Sequence, residues 1–524
     1  MRKLLLMFFF LHVLGTFLVV DSTIGAPIPM PPSILAVDGV INPTEPPPTE
    51  PTPTPLPPTN PPSTSGGNFS HIDTFDFGGR VMTGWGASDI AAYCAKIDYT
   101  EDVFGASPYL KQNCPNLKTW RYSIEHTQMQ TGWPWDPMSA AGAWGEAPDE
   151  SYYLHLSNNT VLNFADGSSA NITGCPAPGP VTKSCRMQVF MYADKRWVYN
   201  VANQNWRTWQ ADRLISVIGT RFDGTWIDEH LPGFRDALYM VHNWGGAQTT
   251  VVSGGTIREY GLNINAANLP GKYHNQLDQN YNNDMASWFA YLKGRLSAVG
   301  KWFMPNPATQ WGHELERDLA LASGGVDYEI VHYPDYWYDF NQFQSYVNLI
   351  KDVRGINGSK QDLFGNPGYY GPSGYTAGNY DSARHRYIMW RLAAYYLVRG
   401  APGSPGTVYF NPDLYNLIRD GGPTAWQQDW LQAFEYNIGY PLGDETVTTS
   451  SAGCSGTYGI WSRNFSNGKV FVRPGNSSSC GSNWEAGTTI TVSPAMKRLN
   501  SNGTFSAYST TFTLRNAEAL ILSN

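Results

Sequence analysis

Phe222-Asp223-Gly224-Thr225-Trp226-Ile227-Asp228-Glu229 follows directly on an amphipathic helical pattern, and its reading decides the fold. A second stretch, Ser323-Gly324-Gly325-Val326-Asp327-Tyr328-Glu329-Ile330-Val331-His332, holds the same position after a later helical pattern. Both carry a glycine, three strand-compatible residues and then a carboxylate, Gly224 to Asp228 and Gly325 to Glu329. Each is short, β-prone and bounded by turn residues, so each predicts a buried strand ending in an acid. Alternation puts Gly224, Trp226 and Asp228 on one face of the first strand, and Gly325, Asp327 and Glu329 on one face of the second.

The same strand-then-helix unit recurs on both sides. Arg80 to Trp85, Thr119 to Glu125 and Arg186 to Tyr192 read as the first three strands. The Asp223 stretch is the fourth, Lys301 to Met304 the fifth and the Glu329 stretch the sixth. Asp362 to Phe364 and Thr407 to Phe410 supply weaker seventh and eighth strands. Helical patterns fall at Ser88–Ile97, Trp209–Ile218, Asp284–Val299, His313–Ser323, Phe343–Val353 and Ser382–Arg399. One strand per helix implies a parallel sheet with right-handed crossovers. Eight units over roughly 350 residues predict a (β/α)8 TIM barrel with long loops. An open doubly wound sheet is the alternative, weakened because no glycine-rich phosphate turn follows the first strand. The inserts Gln128–Lys183 and His230–Asn283 are long enough to shape a cleft, and the first carries Trp133, Trp135 and Trp144.

The flanks differ in texture. Met1-Arg2-Lys3, an apolar run from Leu4 to Val20 and small residues near Thr23 to Ala26 describe a signal peptide over 1–25, with an uncleaved anchor as the alternative. Residues 26–67 are Pro- and Thr-rich and predict an extended spacer or a disordered leader. The barrel is expected over 68–440. Beyond it, at 441–524, short β segments separated by Gly, Ser and Asn turns predict a small antiparallel β-sandwich, expected chiefly to pack on the barrel, with sugar binding as the alternative.

A secreted chain favours disulfides, and the spacing of the six cysteines suggests local pairs: Cys94 with Cys114, Cys175 with Cys185, and Cys454 with Cys480. No CxxC occurs, which argues against a zinc or redox site. Sequons stand at Asn68, Asn158, Asn171, Asn357, Asn464, Asn476 and Asn502. The formal charge of -8 is mild and the basic residues are scattered, so nucleic acid is not an expected partner. No later apolar run would insert the mature chain into a membrane. The 19 Trp and 31 Tyr suit a carbohydrate surface, and equally an ordinary aromatic core.

Acids at the C-terminal ends of barrel strands lie on the rim where such folds keep their chemistry. Glycosidic cleavage needs one carboxylic acid to protonate the leaving oxygen and a second carboxylate to attack the sugar or activate water. Strands two places apart start roughly 10 Å from one another. Inward-leaning acids there close to the ~5 Å of a retaining pair. Asp228 is the expected nucleophile. Glu329, beside Tyr328, His332 and Tyr333, is the expected proton donor, because aromatic burial next to another acid raises a carboxyl pKa. The bland alternative is an acid that caps a helix or binds an Arg. Arg121, Glu125, Tyr192, Asp194 and Asn306 also fall at predicted strand ends and, with Trp226, Glu229 and His332, make up the expected sugar-binding set. Glu229 lies on the strand face opposite Asp228, and Asp223 reads as structural. Asp278, Asn280, Asn282 and Asp284 mimic a calcium loop, but Asn283 replaces its glycine and Phe289 its final acid, so Asn282 to Asp284 reads as a helix cap. No HExxH or GxSxG occurs.

Asp223-Gly-Thr-Trp-Ile-Asp228, Asn306 and Gly325-Val-Asp-Tyr-Glu329 resemble a largely uncharacterised group of barrel glycoside hydrolases. That group is similar to the endo-α-1,4-polygalactosaminidase type and, more distantly, to α-galactosidases. Arg463-Asn-Phe-Ser-Asn-Gly-Lys-Val-Phe-Val-Arg-Pro474 resembles a strand pair of the same group's β domain. The resemblance covers most of the stretch from Phe75 to the C-terminus and implies Asp228 as nucleophile and Glu329 as acid/base. Gly324 departs from it, since the group has Asp before the strand-six glycine. The expectation is therefore a secreted or surface-tethered glycoside hydrolase acting on a polysaccharide or glycan without a cofactor. A polysaccharide lyase and a non-catalytic carbohydrate-binding or wall protein on a barrel scaffold are the alternatives.

Overall fold

The computed structural model describes residues 72, 74–76, 82, 85–101, 110–123, 127–129, 146–164, 167–191, 194–227, 250–252, 255–264, 276–305, 328–331, 340–355, 361–364, 382–402, 408–412, 430–450, 458–474 and 487–524. The signal-like segment, the Pro/Thr-rich spacer, the predicted helix His313–Ser323 and the pair Cys454 with Cys480 lie outside them.

In chain order the elements are β1 (Phe75–Asp76), α1 (Ala87–Cys94), β2 (Tyr99–Glu101), α2 (Leu110–Asn113) and β3 (Lys118–Ser123). An excursion follows, with β4 (Thr127–Met129), β5 (Thr160–Phe164), β6 (Ser169–Ile172), β7 (Gln188–Met191) and β8 (Asp194–Val198). Then come α3 (Gln204–Ile218) and β9 (Gly224–Ile227). A second excursion holds β10 (Thr250–Val252), β11 (Gly255–Ile257) and β12 (Leu262–Ile264). The chain continues with α4 (Gln276–Ala298), β13 (Trp302–Pro305), β14 (Tyr328–Val331), α5 (Phe340–Gly355), β15 (Gln361–Phe364), α6 (Ser382–Val398) and β16 (Val408–Phe410). Six strands end it: β17 (Thr446–Ser450), β18 (Tyr458–Phe465), β19 (Gly468–Arg473), β20 (Gly487–Arg498), β21 (Ser509–Arg515) and β22 (Glu518–Ser523).

Strands β1, β2, β3, β9 and β13 form one parallel ladder, and β14, β15 and β16 a second. A parallel bridge from Thr74 to Phe410 joins β16 back to β1. On the other side β13 neighbours β14. Eight parallel strands thus follow one another in cyclic order, which is the order of a (β/α)8 barrel.

Most of the expected first strand, Arg80 to Trp85, lies outside the described residues; among those described the first barrel strand is Phe75–Asp76, and three-residue β2 is too short to leave a pattern. Arg186 to Tyr192 is not a barrel strand. Gln188–Met191 pairs antiparallel with Asp194–Val198, which pairs antiparallel with Thr127–Met129. The Asp223 stretch nevertheless remains the fourth barrel strand.

Register sorts the barrel residues into two sets. Phe75, Tyr99, Trp120, Trp226, Met304 and Tyr409 pack as one interior cluster, with Tyr122 and Trp302 against it. Their neighbours in sequence face the helices. Ile227 and Phe303 join Trp206, Leu214, Trp288 and Leu292 of α3 and α4, while Val408 and Phe410 join Trp390, Tyr395 and Leu397 of α6. Alternation along each strand requires this division.

Local chemistry fixes the helix ends. The Asn203 side chain accepts from the backbone of Asn205 and Trp206 to start α3, and Gly219 at φ 48° turns the chain out of it. Helix α4 includes Gln276 to Ala298, so Asn282 to Asp284 lie within it and not at its start. Asp284 instead accepts from Tyr260 at 2.9 Å, while Arg207 donates to its backbone carbonyl at 3.0 Å.

The C-terminal strands form a single antiparallel sheet, ordered β17-β18-β19-β22-β20-β21, where two facing sheets were expected. Long β20 pairs with β21 along its first part and with β22 through Lys497 and Arg498, with a register shift between Thr491 and Met496. The bend encloses Tyr458, Phe471, Ile490, Leu514 and Leu520. The other side of the sheet packs on α5 and α6 as expected, with Trp461, Phe465, Val470 and Ile521 sharing a core with Phe343 and Trp390.

Candidate active site

The barrel interior is lined by aromatics. Trp226 of β9 is 7 % exposed and meets Tyr122 of β3 edge-on, their rings 5.0 Å apart. Deeper in, Tyr409 donates to the Tyr99 hydroxyl at 2.9 Å, with ring centroids 4.3 Å apart. Gly224 makes this packing fit: a Cβ there would lie 2.7 Å from the Trp302 carbonyl oxygen and 2.9 Å from its Cβ. Glu101 ends β2 in register with Trp120 and is fully buried, so a carboxyl sits within this aromatic interior. Asp76, one residue on from interior Phe75, accepts from Tyr93 of α1 at 2.9 Å. Burial first, and then the Asp76 charge, push the Tyr93 phenol well up, which keeps it a neutral donor.

The opposite end of β9 is structural, as expected for Asp223. Its Oδ2 accepts from the Thr119 backbone at 2.9 Å and from Lys111, and Lys118 lies 3.9 Å from Oδ1. This acid pins β3 to β9 at the N-terminal ends of the strands.

The predicted site residues are distributed unevenly. Asp228, Glu229, Glu125, Tyr192, Asn306 and His332 lie outside the described residues. Trp226 is where alternation puts it, in the interior. Arg121 is corrected: its guanidinium lies 5.9 Å from the Phe222 ring centroid, and Phe222 belongs to the helix-facing core. Asp194 is corrected too, because it opens β8 opposite Met191 in the excursion hairpin and ends no barrel strand. Glu329 is second of four residues in β14, in register with Asp362 and through it with Val408. Val408 belongs to the helix-facing set, and the interior residue of its strand is Tyr409. The described part of β9 begins at Gly224, and that of β14 at Tyr328, three residues past Gly325.

Sequence reasoning missed Tyr99, Glu101, Trp120, Tyr122 and Tyr409. The alternation of Trp120 and Tyr122 was a legible signal, but the shortness of β2 hid Tyr99 and Glu101.

The two excursions are knitted together. β10 pairs with β5, and Leu156 bridges Ile257. His155 is fully buried between Glu259, 2.7 Å from Nδ1, and Glu150, 3.3 Å from Nε2. Arg186 donates to Glu150 and Glu146 and lies 3.8 Å over the Tyr153 ring. Disulfides Cys94–Cys114 and Cys175–Cys185 form as the spacing suggested, the second within this wall. Among the described residues no cluster of His, Cys, Asp or Glu is placed to hold a metal ion, and no helix is long and apolar enough to cross a membrane.

No protein-family model matches the chain, and no curated protein matches it. Solved structures do. A Bacillus licheniformis trehalose-6-phosphate hydrolase is 8 % identical with a TM-score of 0.46, over 87 % of this chain and 100 % of that one. The trehalulose synthase MutB, as a variant in complex with Tris, is 10 % identical with a TM-score of 0.46, over 88 % and 100 %. A Paenibacillus cycloisomaltooligosaccharide glucanotransferase is 10 % identical with a TM-score of 0.35, and the match covers 87 % of this chain but 56 % of that longer one. Likeness at this level assigns neither a family nor an activity, and it adds nothing to the resemblance to the polygalactosaminidase type.

Proposed function

We propose that the chain is a secreted glycoside hydrolase acting on a polysaccharide or glycan at the C-terminal end of a closed (β/α)8 barrel. The observation that carries this reading is β9: a barrel strand whose interior residue is the aromatic Trp226 and whose next residue in sequence after Ile227 is a carboxylate, Asp228. Alternation gives Asp228 the side of Trp226, above an aromatic floor suited to the apolar face of a pyranose. Asp228 acts as nucleophile and Glu329 as general acid/base in a retaining double displacement. The barrel at 68–440 supplies the catalytic body, and the sheet at 441–524 buttresses α5 and α6.

A second reading is favoured by the register of Glu329 with Asp362 and Val408. In it Asp228 remains the nucleophile and another group protonates the leaving oxygen.

Screening the purified chain against a panel of polysaccharides, with Asp228→Asn and Glu329→Gln beside it, tests both. Loss of activity by at least about 100-fold in both variants, with rescue of neither by pH, supports the pair. Loss in Asp228→Asn alone selects the second reading. Full activity in Asp228→Asn rejects the site.

A further inference from the structure

Away from the barrel interior, a solvent-open cleft of about 360 Å³ lies between α6 and the C-terminal sheet. Its lining includes Arg386 and Met389 of α6, Arg498 of β20, Leu499, Asn500 and Glu518 of β22. That volume is within the usual span of ligand pockets, about 300–1,000 Å³.

The charges in the cleft are organised. Glu518 is nearly buried and its carboxylate is committed: Oε2 accepts from the Arg515 backbone at 2.7 Å, and Oε1 accepts from Arg498 Nη2 at 3.1 Å. The Arg515 guanidinium lies 3.8 Å from the same Oε1. Arg498 is thereby held by one nitrogen, while its side chain stays 37 % exposed at the cleft. A guanidinium oriented by a buried carboxylate, with donors still turned to an open cleft, presents a planar fork to an incoming anion. Asn500 adds an amide whose Nδ2 is spent on Thr504 at 3.1 Å, leaving its Oδ1 as an acceptor for a hydroxyl. Met389 and Leu499 provide an apolar wall. A carboxylate partner, a hydroxyl partner and an apolar face together match an acidic monosaccharide unit better than a bare inorganic ion.

We propose that this cleft is a non-catalytic binding site for an acidic saccharide unit, a uronate within an oligosaccharide, with Arg498 and Arg386 taking the carboxylate. The choice of a saccharide as ligand rests on the glycosidase reading, but the site itself does not need Asp228.

The test is calorimetric titration of the full-length chain with oligogalacturonate, with a neutral galacto-oligosaccharide of equal length, and with sodium sulfate. Wild type and Asp228→Asn should bind oligogalacturonate equally and bind the neutral sugar at least 10-fold more weakly. Arg386→Gln and Arg498→Gln should each weaken binding at least 10-fold, with thermal unfolding confirming that each variant is folded. Arg386→Gln keeps the experiment decisive if loss of the Glu518 contact unfolds Arg498→Gln. Equal binding of the neutral sugar, sulfate binding as tight as oligogalacturonate, insensitivity to both Arg substitutions, or no binding by wild type would each overturn the proposal. Loss of binding in Asp228→Asn alone would place the saccharide in the barrel and overturn it as well, whereas inactivity of wild type toward every polysaccharide would sink only the glycosidase reading.

Discussion

His155 Nδ1 lies 2.7 Å from Glu259 Oε1, joining two excursions that stand 104 residues apart in sequence. The same carboxylate's other oxygen accepts from the His155 backbone at 2.9 Å, and Glu150 faces the far side of the ring. One buried imidazole thus holds the insert after β3 to the insert after β9.

His155→Ala should therefore cost about 2–4 kcal/mol, since it opens a cavity and leaves two carboxylates facing each other. Denaturant unfolding measures this, and limited proteolysis should find its first new cleavages at 146–186 and 255–264. Unchanged unfolding would show that the bridge contributes nothing.

Acid should loosen the same wall. Burial alone would raise the Glu150 carboxyl, but hydrogen bonds and charge from Arg186, with His155, outweigh it and hold the group below the ordinary glutamate value. A depressed folded-state pKa stabilises the fold fully above the unfolded value, about 4.3, and that contribution fades as pH falls through the folded value. Thermal unfolding should lose stability below about pH 4.3 in wild type and lose less of it in Glu150→Gln.

Gly224→Ala should destabilise by about 1–3 kcal/mol, because the new methyl meets backbone of β13 that has no room to yield. Differential scanning calorimetry reads the shift. Activity should fall with it, since β9 carries Trp226 and leads into Asp228.

Asp223→Asn and Asp228→Asn should separate cleanly, although only four residues lie between them. Asp223 ties β3 to β9 through the Thr119 backbone and Lys111. Its loss should cost about 1 kcal/mol of stability and leave turnover within about 3-fold. Asp228→Asn should do the reverse.

Arg463 opens the motif that resembles a family β domain, and its role is visible. Nη1 donates to the carbonyls of Leu397 at 2.8 Å and Arg399 at 2.5 Å, and Nε donates to Gly443 at 2.8 Å. It closes the C-terminal end of α6, where carbonyls lack helical partners. Gly468, which opens β19 in the same motif, has the Leu522 carbonyl oxygen 2.1 Å from where a Cβ would stand. Arg463→Ala should cost about 2–4 kcal/mol by denaturant unfolding and leave KM unchanged.

Sequence alone determined the alternating barrel strands from β9 onward, the antiparallel C-terminal strands, the structural part of Asp223 and two local disulfides. These rest on short-range signals: alternation, helical period, turn residues and loop closure between near cysteines. Tertiary structure decided the rest. That β2 exists at all depends on parallel partners on both sides, because three residues carry no period of their own. That Gln188–Met191 turns away into a hairpin depends on pairing with β8, since an apolar run reads alike in either sheet. That Glu329 stands level with Asp362 and Val408 depends on pairing with strands 33 and 79 residues onward in sequence. A one-residue displacement in where a strand begins exchanges its faces, and no residue within the strand records which neighbour it will meet.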